Sequence, residues 1–180
     1  NRGEILSLAF KLGQLIGLPL QNVITQSIGD KRYVYTPTNC FTLPRPVSLL
    51  PREIQLAYFQ SEDFARIQVL DLFLNNRDRR RDSVVSNSSA RFLPMDFESC
   101  LSPSPRGRRG VIDALVSLTS ASLPTQKSNE LPSLLIKTER QKRIALLTWR
   151  RLALLTNRQL SEIFDSLSIS KGELLNVIQG

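Results

Sequence analysis

Two stretches carry residues whose types and spacing suit chemistry: Asn75-Asn76-Arg77-Asp78-Arg79 and, further along, Leu93-Pro94-Met95-Asp96-Phe97-Glu98. The first is a polar loop after an apolar run, and the second sets an aspartate at the end of a short strand-like segment. Two carboxylates so placed divide the labour of phosphoryl transfer, one orienting the attacking hydroxyl and taking its proton while the other holds Mg²⁺. That reaction asks mainly for positioning and charge neutralisation. Asp78 is the candidate for the hydroxyl, and Asp96 for the metal, because Mg²⁺ prefers hard oxygen ligands, with one or two from protein carboxylates. Asn76 would brace the loop with its side chain, and Arg79 would contact a phosphate or pair with a carboxylate. Taken singly, each residue has a structural explanation, since Asn and Asp favour helix ends and turns for capping reasons. Asp96 could equally cap the segment that follows it. The order carries more: apolar helix, N-x-D-R loop, hairpin, apolar-Met-Asp-aromatic, helices.

The remaining composition narrows the chemistry. The chain has 180 residues with no histidine and two cysteines, Cys40 and Cys100, with no CxxC spacing. Zinc sites of cysteine and histidine, Ser/His triads and Cys/His dyads are thereby excluded, and acid-base work falls to carboxylates. Hydrophobic content of 41% with 22% charged residues is that of a folded protein. No apolar run is long enough to cross a bilayer, and Arg2, Glu4 and Lys11 interrupt the first one, so a cytoplasmic protein with two reduced thiols is expected. The chain opens on Asn1 rather than methionine, which leaves room for natural residues before it. A net charge of +8, with arginines clustered at 77–81 and 106–109, suits a polyanionic partner. Nucleic acid is not favoured, because no aromatic residues are interleaved with the arginines and no recognition-helix motif is visible.

Several elements must position the two aspartates. Ile5, Leu8, Ala9, Leu12, Leu15 and Ile16 predict an amphipathic helix over 3–16, stopped by Gly17 and Pro19. Residues 21–26 and 32–36 read as a β-hairpin. Four prolines between Pro37 and Pro51 read as an irregular connection, with a seam between two lobes near residue 45. A short helix over 52–59 precedes a longer one capped by Ser61 and carrying Phe64, Ile67, Leu70, Leu72, Phe73 and Leu74 into the polar loop. Val84-Val85 and Arg91-Phe92-Leu93 flank turn-forming residues, predicting a hairpin that returns Asp96 toward Asp78. Residues 102–110 read as a basic loop, 111–120 and 139–155 as helices. Thr156 with Gln159 and Ser170 with Glu173 match capping boxes for two more.

With these motifs in place the chain resembles the HipA-like kinases, whose catalytic half is similar to the phosphoinositide-kinase group. The family loop reads N-x-D-R-x-x-x-N and its metal segment Leu-Ile-Asp-His, matched here by Asn76, Asp78, Arg79 and Asp96. Glu4-Ile5 through Ala9 followed by Leu15-Ile16-Gly17-Leu18-Pro19 looks like the family's helix and "GLP" turn, and Leu160-Ser161-Glu162-Ile163-Phe164 fits its common ending. The resemblance implies an ATP-dependent, Mg²⁺-dependent transfer to a hydroxyl, with a protein serine or threonine as acceptor. The departures matter as well. Ser83, preceded by Asp82, stands where the family has a metal-binding asparagine. The strands and lysine that anchor ATP should precede the first helix, where Glu4 would be the lysine's partner. The chain has no room for them, so it is either the later portion of a longer kinase or a shortened relative whose catalysis has decayed.

The expected fold is α+β and protein-kinase-like. Residues 1–45 form a truncated amino-terminal lobe of helix plus β-hairpin, and 46–180 a mainly helical lobe carrying the site. Expected site residues are Asp78, Asn76 and Arg79 for transfer, Asp96 with Ser83 or Asp82 for Mg²⁺, and Glu4 toward ATP. The alternative is a non-catalytic basic module that binds nucleic acid or an acidic protein.

Overall fold

The computed structural model describes residues 2–20, 24–29, 31–35, 45–74, 76, 79, 83–86, 91–97, 100 and 136–165. The expected helix over 111–120, the basic loop over 102–110, the Ser170 capping box and Cys40 lie outside them.

The first helix, α1 (Arg2–Leu15), ends where its sequence says it should. Gly17 takes a left-handed φ of 84°, the conformation that only glycine adopts without a Cβ penalty. The chain then turns back so that Gly17 N donates to Gln14 O (3.0 Å) and Leu18 N to Gly13 O (3.0 Å). Both bonds satisfy terminal carbonyls in the Schellman pattern. The hairpin that follows, β1 (Ile24–Ile28) and β2 (Lys31–Tyr35), pairs antiparallel with Ile28 opposite Lys31. Its loop is therefore two residues, tighter than the five-residue turn expected, and Gly29 at φ 58° makes that possible.

The described end of the proline-rich stretch, from Arg45 on, is less irregular than its composition suggests. Arg45–Pro46 forms β3, an edge strand where the missing proline N–H costs nothing, and a 3-10 turn follows at Val47–Leu49. β3 pairs with β4 (Val84–Ser86), which pairs with β5 (Phe92–Pro94), giving an antiparallel sheet in the order β3-β4-β5. The register sets Val84 opposite Pro94 and Ser86 opposite Phe92.

Two helices precede the polar loop, α2 (Arg52–Gln60) and α3 (Glu62–Phe73). Ser61 caps α3 by accepting from Phe64 N at 3.0 Å. The apolar face of α3, with Phe64, Ile67 and Leu70, is buried against Leu8, Phe10 and Leu12 of α1 and Phe92 of β5 in one core. That core runs across residue 45. Tyr58, Phe64 and Phe92 meet with ring centroids 5.0 to 5.2 Å apart, close enough to add edge-on aromatic attraction to burial.

The last described helices are α4 (Glu139–Ala153) and α5 (Asn157–Asp165). The expected box opens α5: Gln159 N donates to Thr156 Oγ1 at 3.2 Å, and Thr156 N donates back to Gln159 Oε1 at 3.0 Å. A second box, between Thr138 and Gln141, opens α4 and also docks it. Gln141 is 1% exposed, and its Nε2 donates to Phe59 O (2.7 Å) and Ser61 O (3.2 Å) at the α2–α3 junction. Beside it, hydrogen bonds from Arg140 and then Arg66 hold the Glu62 carboxyl below its ordinary value of 4.5. Gln141→Ala keeps the Thr138 cap, removes the reciprocal half of the box and takes this donor from two carbonyls. Its expected cost is about 2–3 kcal/mol, measured as a lower urea midpoint with unchanged m.

Taken together, the described residues are an α+β arrangement of helices around a small antiparallel sheet.

Candidate functional site

The site is built around an aspartate in the last turn of α3. Asp71 lies on the buried face of that helix, among residues that pack into the core, and is 5% exposed. A lone carboxylate there is costly, so it must be paired. Arg79 supplies the partner in fork geometry, with Nε donating to Asp71 Oδ2 and Nη2 to Oδ1, both at 2.8 Å. Asn76 adds a bond from Nδ2 to Asp71 Oδ1 (2.8 Å) and one from its amide to Asp71 O (2.7 Å).

The remaining guanidinium nitrogen reaches the other strand of the site. Arg79 Nη1 donates to Ser83 O at 3.1 Å and to Met95 O. Met95 N in turn donates to Ser83 O at 2.7 Å. Phe97 closes the arrangement from one side, its ring centroid 4.6 Å from the Arg79 guanidinium carbon, a cation-π distance. Burial by itself would lower the Arg79 pKa, and the Asp71 carboxylate more than offsets it, so the guanidinium stays charged. Cys100 packs nearby, and burial, followed by the Asp71 charge, pushes its thiol up to about 12. It is a structural thiol, not a nucleophile. Burial likewise pushes the Tyr58 hydroxyl up.

Asp96 stands apart from this buried network. It is exposed, and it sits between Met95, tied by its backbone, and Phe97, which is fully buried. Its φ of 55° is the only positive value among described non-glycine residues. Left-handed backbone costs an L-residue about 1–2 kcal/mol, less for aspartate, and persists where the neighbours over-determine it. The anchored flanks therefore turn the Asp96 carboxylate to solvent at the mouth of the hairpin.

Of the expected residues, Asn76, Arg79 and Ser83 share one hydrogen-bonded network, Asn76 and Arg79 through Asp71 and Ser83 through its carbonyl, whereas exposed Asp96 follows Met95, whose carbonyl Arg79 holds. Of the two partners open to Arg79, a phosphate or a carboxylate, it is engaged by the carboxylate of Asp71, and its side chain is 6% exposed. Ser83 is buried, with its carbonyl committed to Arg79 and Met95 N. Glu4 lies in the first turn of α1. Asp78 and Asp82 lie outside the described residues. Among the described residues no group of three or more His, Cys, Asp or Glu side chains could hold a metal ion. Asp96 offers one exposed carboxylate, a hard oxygen donor of the kind that Mg²⁺ takes from proteins.

Sequence reasoning missed Asp71. Its signal was present, because Asp71 falls on the same helical stripe as Phe64, Ile67, Leu70 and Leu74. An acidic residue on an apolar stripe announces a buried charge and hence a partner.

Comparison with family models, with curated proteins and with solved structures gives no match to this chain. No helix among the described residues is long and apolar enough to cross a membrane.

Proposed function

We propose that this chain carries the phosphotransfer half of a kinase-like domain similar to the HipA-like kinases, directed at a hydroxyl such as that of a protein serine or threonine. The observation that supports the reading is the Arg79 bridge. One side chain ties the loop after α3, through Asp71, to the segment that presents Asp96, through Met95 O. In sequence Asp78 stands between Asn76 and Arg79, both of which Asp71 holds.

In this reading each residue has a separate task. Asp78 orients the acceptor hydroxyl and takes its proton, and Asp96 holds Mg²⁺ with help from Asp82 or Ser83. Bound there, Mg²⁺ and ATP would supply the transferable phosphoryl group and the charge that neutralises it. Asn76 and Arg79 keep loop and hairpin in register and carry no phosphate.

The test is thermal unfolding of the chain with ATP, with and without Mg²⁺, beside Asp96→Asn. Because Asp96 is exposed and asparagine tolerates left-handed φ well, the variant is expected to fold like the parent. Ligand at about 100 times its dissociation constant adds ~2.7 kcal/mol, a shift of several degrees for a chain of this size. The expected result is a Mg²⁺-dependent shift that Asp96→Asn abolishes. No shift in the parent would remove the reading for these residues on their own.

A further inference from the structure

The outer face of α4 has a composition that its position does not explain. α4 buries Gln141, Ala145, Thr148 and Leu152 and packs against α3. The opposite face should be polar. Instead, three of the six exposed large apolar side chains among the described residues lie on that side, Leu146 and Leu147 on the helix and Leu154 at its C-cap, at 40, 54 and 65% exposure.

At about 100° per residue, the line pointing directly away from the core is Arg143, Leu147, Arg150, Leu154. The spacing along it is four, three, four, which is the seam along which one helix meets another. It runs roughly 16 Å. Arg143 and Arg150 are exposed, and no carboxylate among the described residues pairs with either. By contrast Arg140, near the start of the same helix, is occupied by Glu62.

The alternation of leucine and arginine selects the occupant. An anionic bilayer would want the guanidiniums at the edges of the face, where they reach headgroups, not along its middle. Nucleic acid would leave the leucines without a role. A second copy of this chain would set guanidinium against guanidinium in parallel pairing and against leucine in antiparallel pairing, with no anion in either. The pattern is complemented by a helix whose seam alternates apolar residues with carboxylates.

We propose that the outer face of α4 docks an amphipathic helix of a partner protein, with carboxylates received by Arg143 and Arg150 and apolar side chains by Leu147 and Leu154. The pairing is independent of any phosphotransfer.

The probe is a capped, fluorescently labelled helical peptide with leucine and glutamate alternating at four-three-four spacing, read by anisotropy against the whole chain. A matching lysine peptide serves as its charge-reversed partner. The parent is expected to bind the glutamate peptide with Kd of about 10–100 μM and to ignore the lysine peptide. Arg143→Glu/Arg150→Glu should weaken the glutamate peptide at least about tenfold and gain binding to the lysine peptide. Leu147→Gln/Leu154→Gln should weaken the glutamate peptide while leaving its salt dependence. All four positions are exposed, so the variants should fold like the parent. The proposal is overturned if the glutamate peptide fails to bind up to about 1 mM or if the charge-reversed protein binds it equally. It also fails if phosphatidylcholine vesicles containing phosphatidylserine capture the parent through the same leucines.

Discussion

Asp71→Ala is expected to lower stability by about 3–5 kcal/mol, the cost of stranding a buried guanidinium, and to lower Tm by about 10 °C for a chain of this length. Three donors lose this acceptor at once: Arg79 Nε, Arg79 Nη2 and Asn76 Nδ2. The guanidinium cannot swing to water, because Phe97 covers it and Ser83 O and Met95 O hold its remaining nitrogen. Asp71→Leu combined with Arg79→Met replaces the charges by apolar groups of similar size, and such swaps are often neutral where the pair served stability alone. Here the double variant should recover only part of the loss, since two carbonyls remain without the donor that joined loop to hairpin. Urea denaturation of the four proteins in the cycle measures this directly. Full recovery would mean that the arginine's bonds to Ser83 and Met95 contribute nothing. Partial recovery together with loss of any Mg²⁺-dependent ATP shift would place the role of the network in holding Asp96, since the ion pair itself is out of reach of a ligand.

That network also marks how far the sequence can be read. Local rules located what local chemistry dictates. Ser61 caps α3, Thr156 and Gln159 box α5, and the hairpin from Val84 to Pro94 returns the chain. The Gly17 stop is likewise local, because only glycine meets the left-handed turn without strain. Thr138 and Gln141 have the same spacing as the box that was recognised, and their second task, holding the α2–α3 junction, lies across 80 or more residues. Arg45–Pro46 reads as irregular from its prolines and becomes a strand because the sheet offers it an edge. Within the site, the N-x-D-R pattern includes Arg79 and left its partner open. What decided the partner was a carboxylate inside α3 and two carbonyls on the opposite side of the hairpin. Such contacts depend on how helix and sheet meet, which no short window of sequence contains.

A second buried aspartate shows the same dependence and carries the second large expected effect. Asp63 is 3% exposed at the start of α3, and its Oδ2 accepts from Arg91 Nε at 2.9 Å and from Phe92 N at 3.0 Å. Its Oδ1 accepts from Arg66 Nη1 at 3.2 Å, while Arg91 Nη2 continues to Gly17 O at the end of α1. One side chain thus fastens β5 and the end of α1 to the start of α3. Asp63→Ala strands the buried Phe92 amide as well as breaking the ion pair, and about 3 kcal/mol or more is expected. Asp63→Asn keeps an acceptor for that amide and should cost less. Arg91→Ala should cost least, near 1 kcal/mol, because that side chain is 49% exposed and solvent screens its half of the pair. The order Asp63→Ala, Asp63→Asn, Arg91→Ala, read from urea midpoints, separates docking of the strand backbone from a surface ion pair. Equal losses for Asp63→Ala and Arg91→Ala would assign the effect to the ion pair instead. Hydrogen exchange at the Phe92 amide gives the independent readout, with protection lost in Asp63→Ala and kept in Arg91→Ala. β5 leads directly into Met95 and Asp96, so a strand released at Phe92 also frees the segment that presents the exposed carboxylate. Asp63→Ala should therefore weaken any Mg²⁺-dependent ATP shift, although Asp63 lies on the far turn of α3 from Asp71.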